Sequence, residues 1–282
     1  MEEHQKRGYL LENFRLFHLQ TPVQEQVDFH YHEFCKLLFL VSGQGNYVVD
    51  GQRWSLRSGD VVLVDSRRIH CPELTPSTPY ERVILYIDPD FLQRCSTPDC
   101  NLRDCFCGIP VLRFPEARRQ KLFRLVLKLE QALSGDACGR DILSTAILLE
   151  LLVALCRGRQ QDLPHPEPVI PQSKRIQDIM SYMDAHLSED LDVQTLADRF
   201  FVSKHHMMRL FHAQTGFTVH TYLLQRRLYL ARELLQNGMR ATEACYRAGF
   251  RSYCSFTRAY TKYFGTTPTG RTAAAHYPED YA

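Results

Sequence analysis

The chain has 282 residues, of which 44% are hydrophobic and 23% are charged, and its formal net charge is +2. These ordinary values indicate a globular protein with a sizeable core, and the length accommodates about two domains. No apolar run is long enough to span a bilayer, and the N-terminus has no signal-peptide pattern, so we expect a cytoplasmic protein with no membrane partner. In that compartment its ten cysteines are expected to be free thiols.

Residues 29–87 consist of short runs rich in β-formers, which are separated by glycine-containing turns. Asp50-Gly51 is a typical two-residue hairpin turn. Ser42-Gly43 and Ser58-Gly59 separate neighbouring runs in the same way. Regular short strands between such turns predict a barrel or a sandwich.

Four cysteines follow this β-rich region within thirteen residues (95–107). Their spacing differs from the paired CxxC of structural zinc sites. We therefore predict a loop with incidental cysteines, and a zinc- or thiol-sensing site is the alternative. The cysteines are Cys95, Cys100, Cys105 and Cys107.

Two helices are predicted after the cysteines, near residues 115–133 and 140–157. The second has a long apolar face, which packs on the barrel, forms a dimer surface, or does both. The residues of this predicted face are Ile142, Leu143, Ala146, Leu149, Leu152, Val153 and Cys156.

A proline-rich segment separates these helices from the rest of the chain, because residues 158–172 contain four prolines and few apolar side chains. Such a segment continues no helix and is too polar to fold alone. We predict an N-terminal domain over 1–160, a linker over 161–172 and a C-terminal domain over 173–275.

Every periodic segment after the linker has the spacing of a helix. Asp192, Ser203 and Ser252 each precede an apolar-periodic run and are predicted N-caps. Gly216 and Asn237-Gly238 are predicted to end helices. The C-terminal domain is therefore predicted to be all helical, with a long helix over about 218–236.

The charge is distributed unevenly between the two halves. Residues 199–271 contain twelve Lys and Arg but only two acidic residues, a net charge of +10, whereas the remainder has a net charge of −8. A basic segment joined to an acidic body indicates a polyanion-binding module on a separate carrier domain.

An internal repeat gives this basic segment a structural meaning. Residues 203–218 align without gaps to residues 252–267, so that Ser203 matches Ser252 and Arg209 matches Arg258. Each copy follows a short helix and a tight turn, which predicts two helix–turn–helix units. The second helix of such a unit fits the major groove of double-stranded DNA.

Residues 173–271 resemble the DNA-binding domain of the AraC/XylS family of transcriptional regulators. The matching segments are RRLYLARELL (226–235), AGF (248–250), SYCSFTRAY (252–260) and FGTTP (264–268), ending at Arg271. The resemblance implies that His205, Met208 and Arg209 of the first unit, and Tyr253, Ser255 and Arg258 of the second, face the bases. Lys204 and Arg251 complete the predicted DNA-binding set.

The N-terminal segments FHYHEF (29–34), GQGNYVVDG (43–51) and SGDVVLVDSRRIH (58–70) resemble a cupin barrel, the sensor domain common in this family. His30, His32 and His70 stand at cupin-like positions, and three imidazoles are able to bind a divalent metal. Lys36 stands near the place where metal-dependent cupins carry a glutamate, and its charge opposes a metal ion, so we assign no metal and no cofactor. The predicted effector pocket consists of His30, His32, Phe39, Tyr47, Trp54 and His70, to which Tyr31 and Phe34 are added as possible lining residues.

The sequence thus predicts an α+β protein of two domains, a cupin-like β-barrel with helices followed by an all-α double helix–turn–helix domain. We interpret it as a homodimeric, sequence-specific transcriptional regulator and not an enzyme, which responds to a small-molecule effector that is carbohydrate-related. The alternatives are a metal- or thiol-responsive regulator, or a metal-dependent cupin enzyme.

Overall fold

The computed structural model describes residues 10, 12–21, 27, 29–66, 68–74, 80–160, 166, 168–170 and 174–270. The chain divides into two compact units, Met1–Pro171 and Gln172–Ala282. Arg271 and most of the predicted linker lie outside the described residues. The domain boundaries at 160 and 173 stay a prediction.

The first unit contains two antiparallel sheets. The larger sheet has the strand order β1-β7-β2-β5-β8, and the smaller has the order β6-β3-β4-β9. The strands are β1 Phe14–Thr21, β2 Cys35–Ser42, β3 Gln44–Val49, β4 Gln52–Arg57, β5 Val61–Val64, β6 His70–Leu74, β7 Tyr80–Ile87, β8 Val111–Leu112 and β9 Pro168–Ile170.

The predicted hairpin turn is confirmed between β3 and β4. Asp50 and Gly51 have φ values of 48° and 78°, the left-handed conformations that a two-residue hairpin turn of this type requires. Because the turn fixes the register, Tyr47 lies opposite Trp54. Their side chains therefore share one face of the smaller sheet.

β2 is buried on both faces, because it lies between the smaller sheet and a layer of helices. Leu38 and Leu40 pack against Tyr47 and Trp54 of the smaller sheet. Side chains alternate along a strand, so Leu37 and Phe39 point to the helical side. The predicted cupin-like fold is confirmed as two facing antiparallel sheets with helices on one side.

Helices cover the outer face of the larger sheet, and the two predicted helices are confirmed as α2 and α3. Buried apolar side chains of β2, β5 and β7 form one core with these helices. The helical elements are α1 Pro89–Cys95, a short 3-10 helix Leu102–Phe106, α2 Glu116–Leu133 and α3 Arg140–Arg159.

The predicted apolar face of α3 is exposed at its start and buried towards its end, where Leu152 and Cys156 join the core. Ile142 and Leu143 are 79% and 51% exposed. α3 is apolar on most of its circumference, so spacing alone did not indicate which stripe packs against the core. The buried residues are Ser144, Ile147, Leu148, Leu151, Leu152, Leu155, Cys156 and Gly158.

The second unit is helical in its described part, as predicted. The cap predictions are confirmed, since the side chains of Asp192, Ser203 and Ser252 each accept a hydrogen bond from a backbone N–H in the first turn. Gly216 ends its helix with a φ of 73°. The helices are α4 Lys174–Ala185, α5 Val193–Arg199, α6 Lys204–Thr215, α7 Val219–Gln236, α8 Ala241–Arg247 and α9 Tyr253–Phe264. Among the described residues, no helix has the length and apolar character needed to cross a membrane.

Candidate functional site

α6 presents the four predicted DNA-contacting side chains of the first helix–turn–helix unit to solvent. Their spacing along the helix puts them on one face, whereas Met207 and Phe211 on the other face are buried. The helix contains no carboxylate, so this face carries only neutral and basic groups. The exposed residues are Lys204, His205, Met208 and Arg209.

α9 repeats this arrangement in the second helix–turn–helix unit. Arg258 is the sixth residue of α9, as Arg209 is of α6, and both are exposed. Ser255 is exposed, whereas Tyr253 is partly buried, with its ring centroid 6.0 Å from that of Phe256. α9 also lacks carboxylates, so the chain carries two similar basic helices, which α7 and α8 separate.

The turn of the second helix–turn–helix unit is one residue longer than the turn of the first helix–turn–helix unit. Residues 200–203 join α5 to α6, whereas residues 248–252 join α8 to α9. The turns match at Val202 and Phe250, whose N–H groups donate to Ala197 and Cys245. Arg251 is therefore an insertion, which the gap-free alignment starting at Ser203 did not show.

Arg251 is 75% exposed at its side chain and forms an ion pair with Asp190, which is also exposed. This pair lies on the surface, where such contacts contribute little to stability. Sequence reasoning did not identify Asp190 as the partner of Arg251, because the two residues lie 61 positions apart in the chain and no local pattern connects them.

Sequence reasoning also did not single out Thr257 as the equivalent of a predicted DNA-contacting residue. Thr257 occupies the position in α9 that Met208 occupies in α6. The Oγ1 atom of Thr257 is buried and has no hydrogen-bond partner among the described residues. The alignment of the two repeats was the signal that could have found this residue, since it pairs 208 with 257.

Several of the basic residues counted in the sequence are structural. Arg226 donates two hydrogen bonds to Asp184, at 2.7 and 2.9 Å, and Tyr222 donates to the same carboxylate. Arg227 donates to the carbonyl oxygens of Leu187 and Glu189 at 2.8 and 2.7 Å. Arg226 therefore holds the end of α4, and Arg227 holds the segment that follows it.

In the first unit, the three predicted pocket histidines lie together. The backbones of His30 and His70 exchange two hydrogen bonds, of 3.1 and 2.8 Å, and their ring centroids are 4.3 Å apart. His32 lies two residues beyond His30, and its ring centroid is 4.7 Å from that of His70. One ligand atom of each histidine lies within 4.8 Å of the others.

Two of these histidines have a fixed tautomer. The Nδ1–H of His32 donates to the carbonyl oxygen of Phe34 at 2.9 Å, and that of His70 donates to Arg68 at 3.0 Å. Burial is the largest cause that lowers the pKa of both imidazoles well below the ordinary value, and the nearby Lys36 and His30 lower it further. Both rings are therefore neutral, with a lone pair on Nε2.

Tyr47 and Trp54 are buried in the interior between the two sheets. The Tyr47 ring stacks on His70 at 5.9 Å between centroids. The Tyr47 hydroxyl and the Trp54 Nε1 are buried and have no hydrogen-bond partner among the described residues. Phe39 does not join them, because it points to the helical side of the sheet and stacks on Phe123 at 5.1 Å.

The other two lining residues considered from the sequence, Tyr31 and Phe34, are buried near the histidines. The Phe34 ring stacks on His32, with the centroids 3.8 Å apart, and also contacts the ring of Tyr86. Phe34 therefore supports the orientation of the His32 imidazole.

The segment predicted as a loop with four cysteines contains the end of α1 and the 3-10 helix. Cys105 is buried in this helix, whereas Cys107 is exposed. α3 brings a fifth thiol, Cys156, to this segment. Hydrogen bonds from the thiols of Cys105 and Cys100 outweigh its burial and lower the pKa of Cys156 to about 7.

Comparison with known protein families assigns both units. Residues 16–152 match the AraC-like ligand binding domain, and residues 196–271 match a helix-turn-helix domain. The chain belongs to the AraC/XylS family of transcriptional regulators. As a member of the AraC/XylS family it is a DNA-binding regulator with a ligand-binding domain, which confirms the resemblance found in the sequence.

The relatives of this AraC-family chain are regulators. HTH-type transcriptional activator RhaS from Escherichia coli and from Shigella sonnei are each 27% identical over 260 residues, covering 88% of this chain and 88% of each relative. A solved apo structure of ToxT from Vibrio cholerae is 11% identical, with a TM-score of 0.40, and covers 92% of this chain and 96% of that chain. The DNA-binding domain of AdpA in complex with a target DNA is 28% identical, with a TM-score of 0.33, and covers 34% of this chain and 88% of that chain.

Proposed function

We propose that α6 and α9 read the base sequence of double-stranded DNA in successive turns of the major groove. His205, Met208 and Arg209 contact bases in one turn, and Tyr253, Ser255 and Arg258 do so in the next. Lys204 and Arg251 contact phosphates. The observation that carries this proposal is the equivalent, exposed placement of Arg209 and Arg258 on two helices that contain no carboxylate.

Substitution of the two arginines distinguishes contacts to bases from contacts to phosphates alone. An arginine that forms two hydrogen bonds to guanine contributes about 1–3 kcal/mol of discrimination. We expect Arg209→Ala and Arg258→Ala each to weaken binding to a duplex selected from random sequences by about tenfold or more, with a much smaller loss on random DNA. Fluorescence anisotropy measures both affinities.

Arg157→Ala is the matched control for this experiment, since Arg157 is an exposed arginine on α3, in the N-terminal ligand-binding unit. It should change neither affinity. An equal loss on selected and random DNA would reduce Arg209 and Arg258 to phosphate contacts. Binding of the unmodified chain should weaken steeply with added salt.

The predicted domain boundaries are part of this proposal. The division of the chain after Pro171 supports a linker over 161–172, although β9 at Pro168–Ile170 pairs with β4 of the first unit. We expect that removal of residues 1–160 leaves a DNA-binding fragment over 173–275 that no longer responds to effector. A fragment that fails to bind DNA but folds by circular dichroism would contradict these boundaries.

The effector is proposed to be carbohydrate-related and to bind between the two sheets. The buried Tyr47 hydroxyl and Trp54 Nε1 have no hydrogen-bond partner in the part of the chain that the structure describes. They support this class, because aromatic faces with polar edges suit a polyhydroxylated ring. His30, His32 and His70 add acceptors to the same interior. Both aromatic side chains are buried, so binding requires the interior to open.

Trp54 offers a direct test, since it is the single tryptophan of the chain. We expect a sugar that raises the melting temperature to change the Trp54 fluorescence as well. Trp54→Phe should remove the fluorescence change and reduce the thermal shift. Tyr246→Phe, which alters an exposed aromatic of the second unit, should leave both responses intact. A thermal shift without any fluorescence change would contradict binding at this place.

The protein is proposed to act as a homodimer in the cytoplasm. Ile142 and Leu143 at the start of α3 are exposed, and apolar side chains in such positions favour contact with a second copy. We expect light scattering to give a dimer for the unmodified chain and a monomer for the Ile142→Ser, Leu143→Ser double variant. If both the unmodified chain and the double variant are dimers, this face is not the dimer interface.

The protein is proposed not to be an enzyme. Its relatives are transcriptional activators, and the resemblance to cupins puts Lys36 near the place where a metal-dependent cupin enzyme carries a glutamate. One tightly held iron or manganese per purified chain would instead favour the enzyme.

A thiol-responsive regulator is the second candidate, and the pKa of Cys156, lowered to about 7 by Cys105 and Cys100, supports it. A thiolate at neutral pH reacts with peroxide far faster than a thiol. If the regulator senses oxidants, peroxide should change DNA binding by the unmodified chain and not by a variant with Ser at Cys95, Cys100, Cys105, Cys107 and Cys156. No change in either would exclude this function.

A further inference from the structure

Part of the segment that leads from the first unit to the DNA-binding unit pairs with a strand of the first unit. β9 occupies one edge of the smaller sheet, where Pro168 lies opposite Trp54 and Ile170 lies opposite Arg53. Pro166, two residues before β9, is buried. The predicted linker is therefore attached to β4 near its C-terminal end.

This attachment is weak by the standards of the other strands. β9 has three residues and begins with proline, which has no N–H to donate to a neighbouring strand. The register shifts between Arg53 and Trp54, and Val169 is 59% exposed. Short edge segments with little buried surface open locally at a lower cost than the core of a sheet. β9 can therefore detach while β3 and β4 stay paired.

β4 connects this edge to the interior of the first unit. Its Trp54 side chain packs with Tyr47 and Leu38 between the two sheets. The adjacent Arg53 donates two hydrogen bonds to Glu73 of β6, at 2.6 and 2.7 Å, and so fixes β4 across the sheet. A displacement of Trp54 by a ligand therefore acts on the edge of β4 that β9 pairs with.

The pairing also sets the length of chain between the two units. Thirteen residues (161–173) separate Gln160, the C-cap of α3, from the start of α4 at Lys174. With β9 on β4, only residues 171–173 separate the first unit from α4. Fully extended, three residues span about 10 Å and thirteen span about 43 Å. Pairing of β9 therefore limits the reach of the DNA-binding unit.

We propose that β9 is a releasable strap. It holds the linker on β4 while the interior is closed, and it leaves β4 when a ligand that contacts Trp54 opens the interior, which lengthens the tether of the DNA-binding unit. A ligand shifts such an equilibrium only if it binds the released state more tightly than the docked state. The action of the ligand rests on the proposed effector binding between the sheets, whereas the docking and release of β9 do not.

Amide hydrogen exchange of the full chain, without any ligand, tests docking and release. The amides of Val169 and Ile170 should be protected about ten- to a thousandfold, and those of β3 far more strongly. No protection would mean that β9 is not docked. Protection equal to that of β3 would mean that β9 leaves only when the unit unfolds. Either result overturns the proposal.

A variant that releases the strap is the second test. Glycine in a Val169→Gly, Ile170→Gly chain removes two β-formers and adds unfolded-state entropy, so β9 should no longer dock. Trp54, the single tryptophan, should then be quenched by acrylamide about twofold more efficiently.

The matched control is Val169→Thr, Ile170→Val, which retains β-branched side chains and should behave as the unmodified chain. All three chains should have similar melting temperatures. Equal quenching in the glycine variant and its control would overturn the proposal.

Small-angle X-ray scattering of the same three chains measures the tether. The maximum dimension of the glycine variant should exceed that of the unmodified chain by about 10 Å or more, because more of the linker is able to extend. The control should match the unmodified chain. Equal dimensions for all three would show that β9 does not limit the linker, which overturns the proposal.

Monosaccharides separate the strap from the effector proposal. The monosaccharide that raises the melting temperature most should increase the exchange rate of the Val169 amide about tenfold. If it binds and this exchange is unchanged or slower, the strap proposal is overturned and the carbohydrate proposal stands. If no monosaccharide binds, the carbohydrate proposal fails, and the exchange and scattering results alone support or overturn the strap.

Discussion

The two helix–turn–helix units have the same turn conformation but different surroundings. Phe201 in the first turn has a φ of 53°, and Gly249 in the second has a φ of 86°. Phe201 is 93% exposed, whereas a Cβ atom at Gly249 would overlap the carbonyl oxygen of Leu187 and lie 2.9 Å from Nε of Arg227. The first turn therefore tolerates any side chain that accepts the dihedral angle, and the second has room only for glycine.

The difference follows from what lies beside each turn. The second turn packs against the segment after α4, whose carbonyl groups of Leu187 and Glu189 accept hydrogen bonds from Arg227. The first turn projects its central side chain into solvent. Equivalent positions in a repeat therefore have the same backbone requirement but not the same packing requirement.

Gly249→Ala should have the largest effect on this comparison. The new methyl group combines an unfavourable positive φ with backbone overlap, so we expect a loss of about 2–4 kcal/mol in the free energy of unfolding. Urea denaturation of the full chain measures it. Phe201→Ala, the matched change in the first turn, should alter stability by less than about 0.5 kcal/mol. Similar losses in both would mean that the two turns are equally crowded.

Arg209 and Arg258 test whether the two units read DNA equally. Because they hold equivalent positions, Arg209→Ala should relax the base preference in one half of the site and Arg258→Ala in the other, about 10 bp away. Each should cost about 1–3 kcal/mol of discrimination. Selection from a randomised duplex library with each variant measures the preference at every position. Relaxation in the same half for both variants would contradict the model of successive grooves.

Phe201→Gly should have a smaller, favourable effect. Glycine removes the cost of a positive φ but adds unfolded-state entropy, so we expect a gain of up to about 1 kcal/mol. Thermal and urea unfolding, compared with Phe201→Ala, separate the contribution of the dihedral angle from that of the ring. A loss of stability in Phe201→Gly would show that the exposed ring makes a stabilising contact.

Asp190→Asn should have the smallest effect, and it should alter only DNA binding by the second helix–turn–helix unit. The exposed ion pair with Arg251 contributes little to folding, so the melting temperature should not change. Freed from Asp190, Arg251 should contact phosphate more readily and raise DNA affinity roughly threefold at low salt. Arg251→Ala should abolish this gain. A tighter complex in the double variant would assign the effect to Asp190 alone.

Local sequence signals predicted much of the second unit. Asp192, Ser203 and Ser252 cap their helices, because a side-chain oxygen three residues before a free N–H satisfies it in any fold. Asp50-Gly51 formed its hairpin turn for a similarly local reason. The exposed faces of α6 and α9 also followed from helical spacing.

Other features depended on residues far apart in the chain. The sequence did not distinguish Arg226, which is held by Asp184, from the exposed Arg209. The sequence also led to the placement of Phe39 in the pocket. β2 is apolar on both faces, so its sequence does not indicate which face of the sheet an aromatic side chain points to. Cys156 was taken only as a member of an apolar face, since its contact with Cys105 forms when α3 packs on the 3-10 helix.

The sequence by itself determined the order of domains, the two repeated helical units and the family, because these depend on periodicity, caps and spacing within short segments. Only the tertiary structure decided which arginines are engaged in internal hydrogen bonds, why Gly249 cannot carry a side chain, and that His30 meets His70. These features arise from contacts between distant segments, whose energy depends on how the chain packs and not on the residues adjacent in sequence.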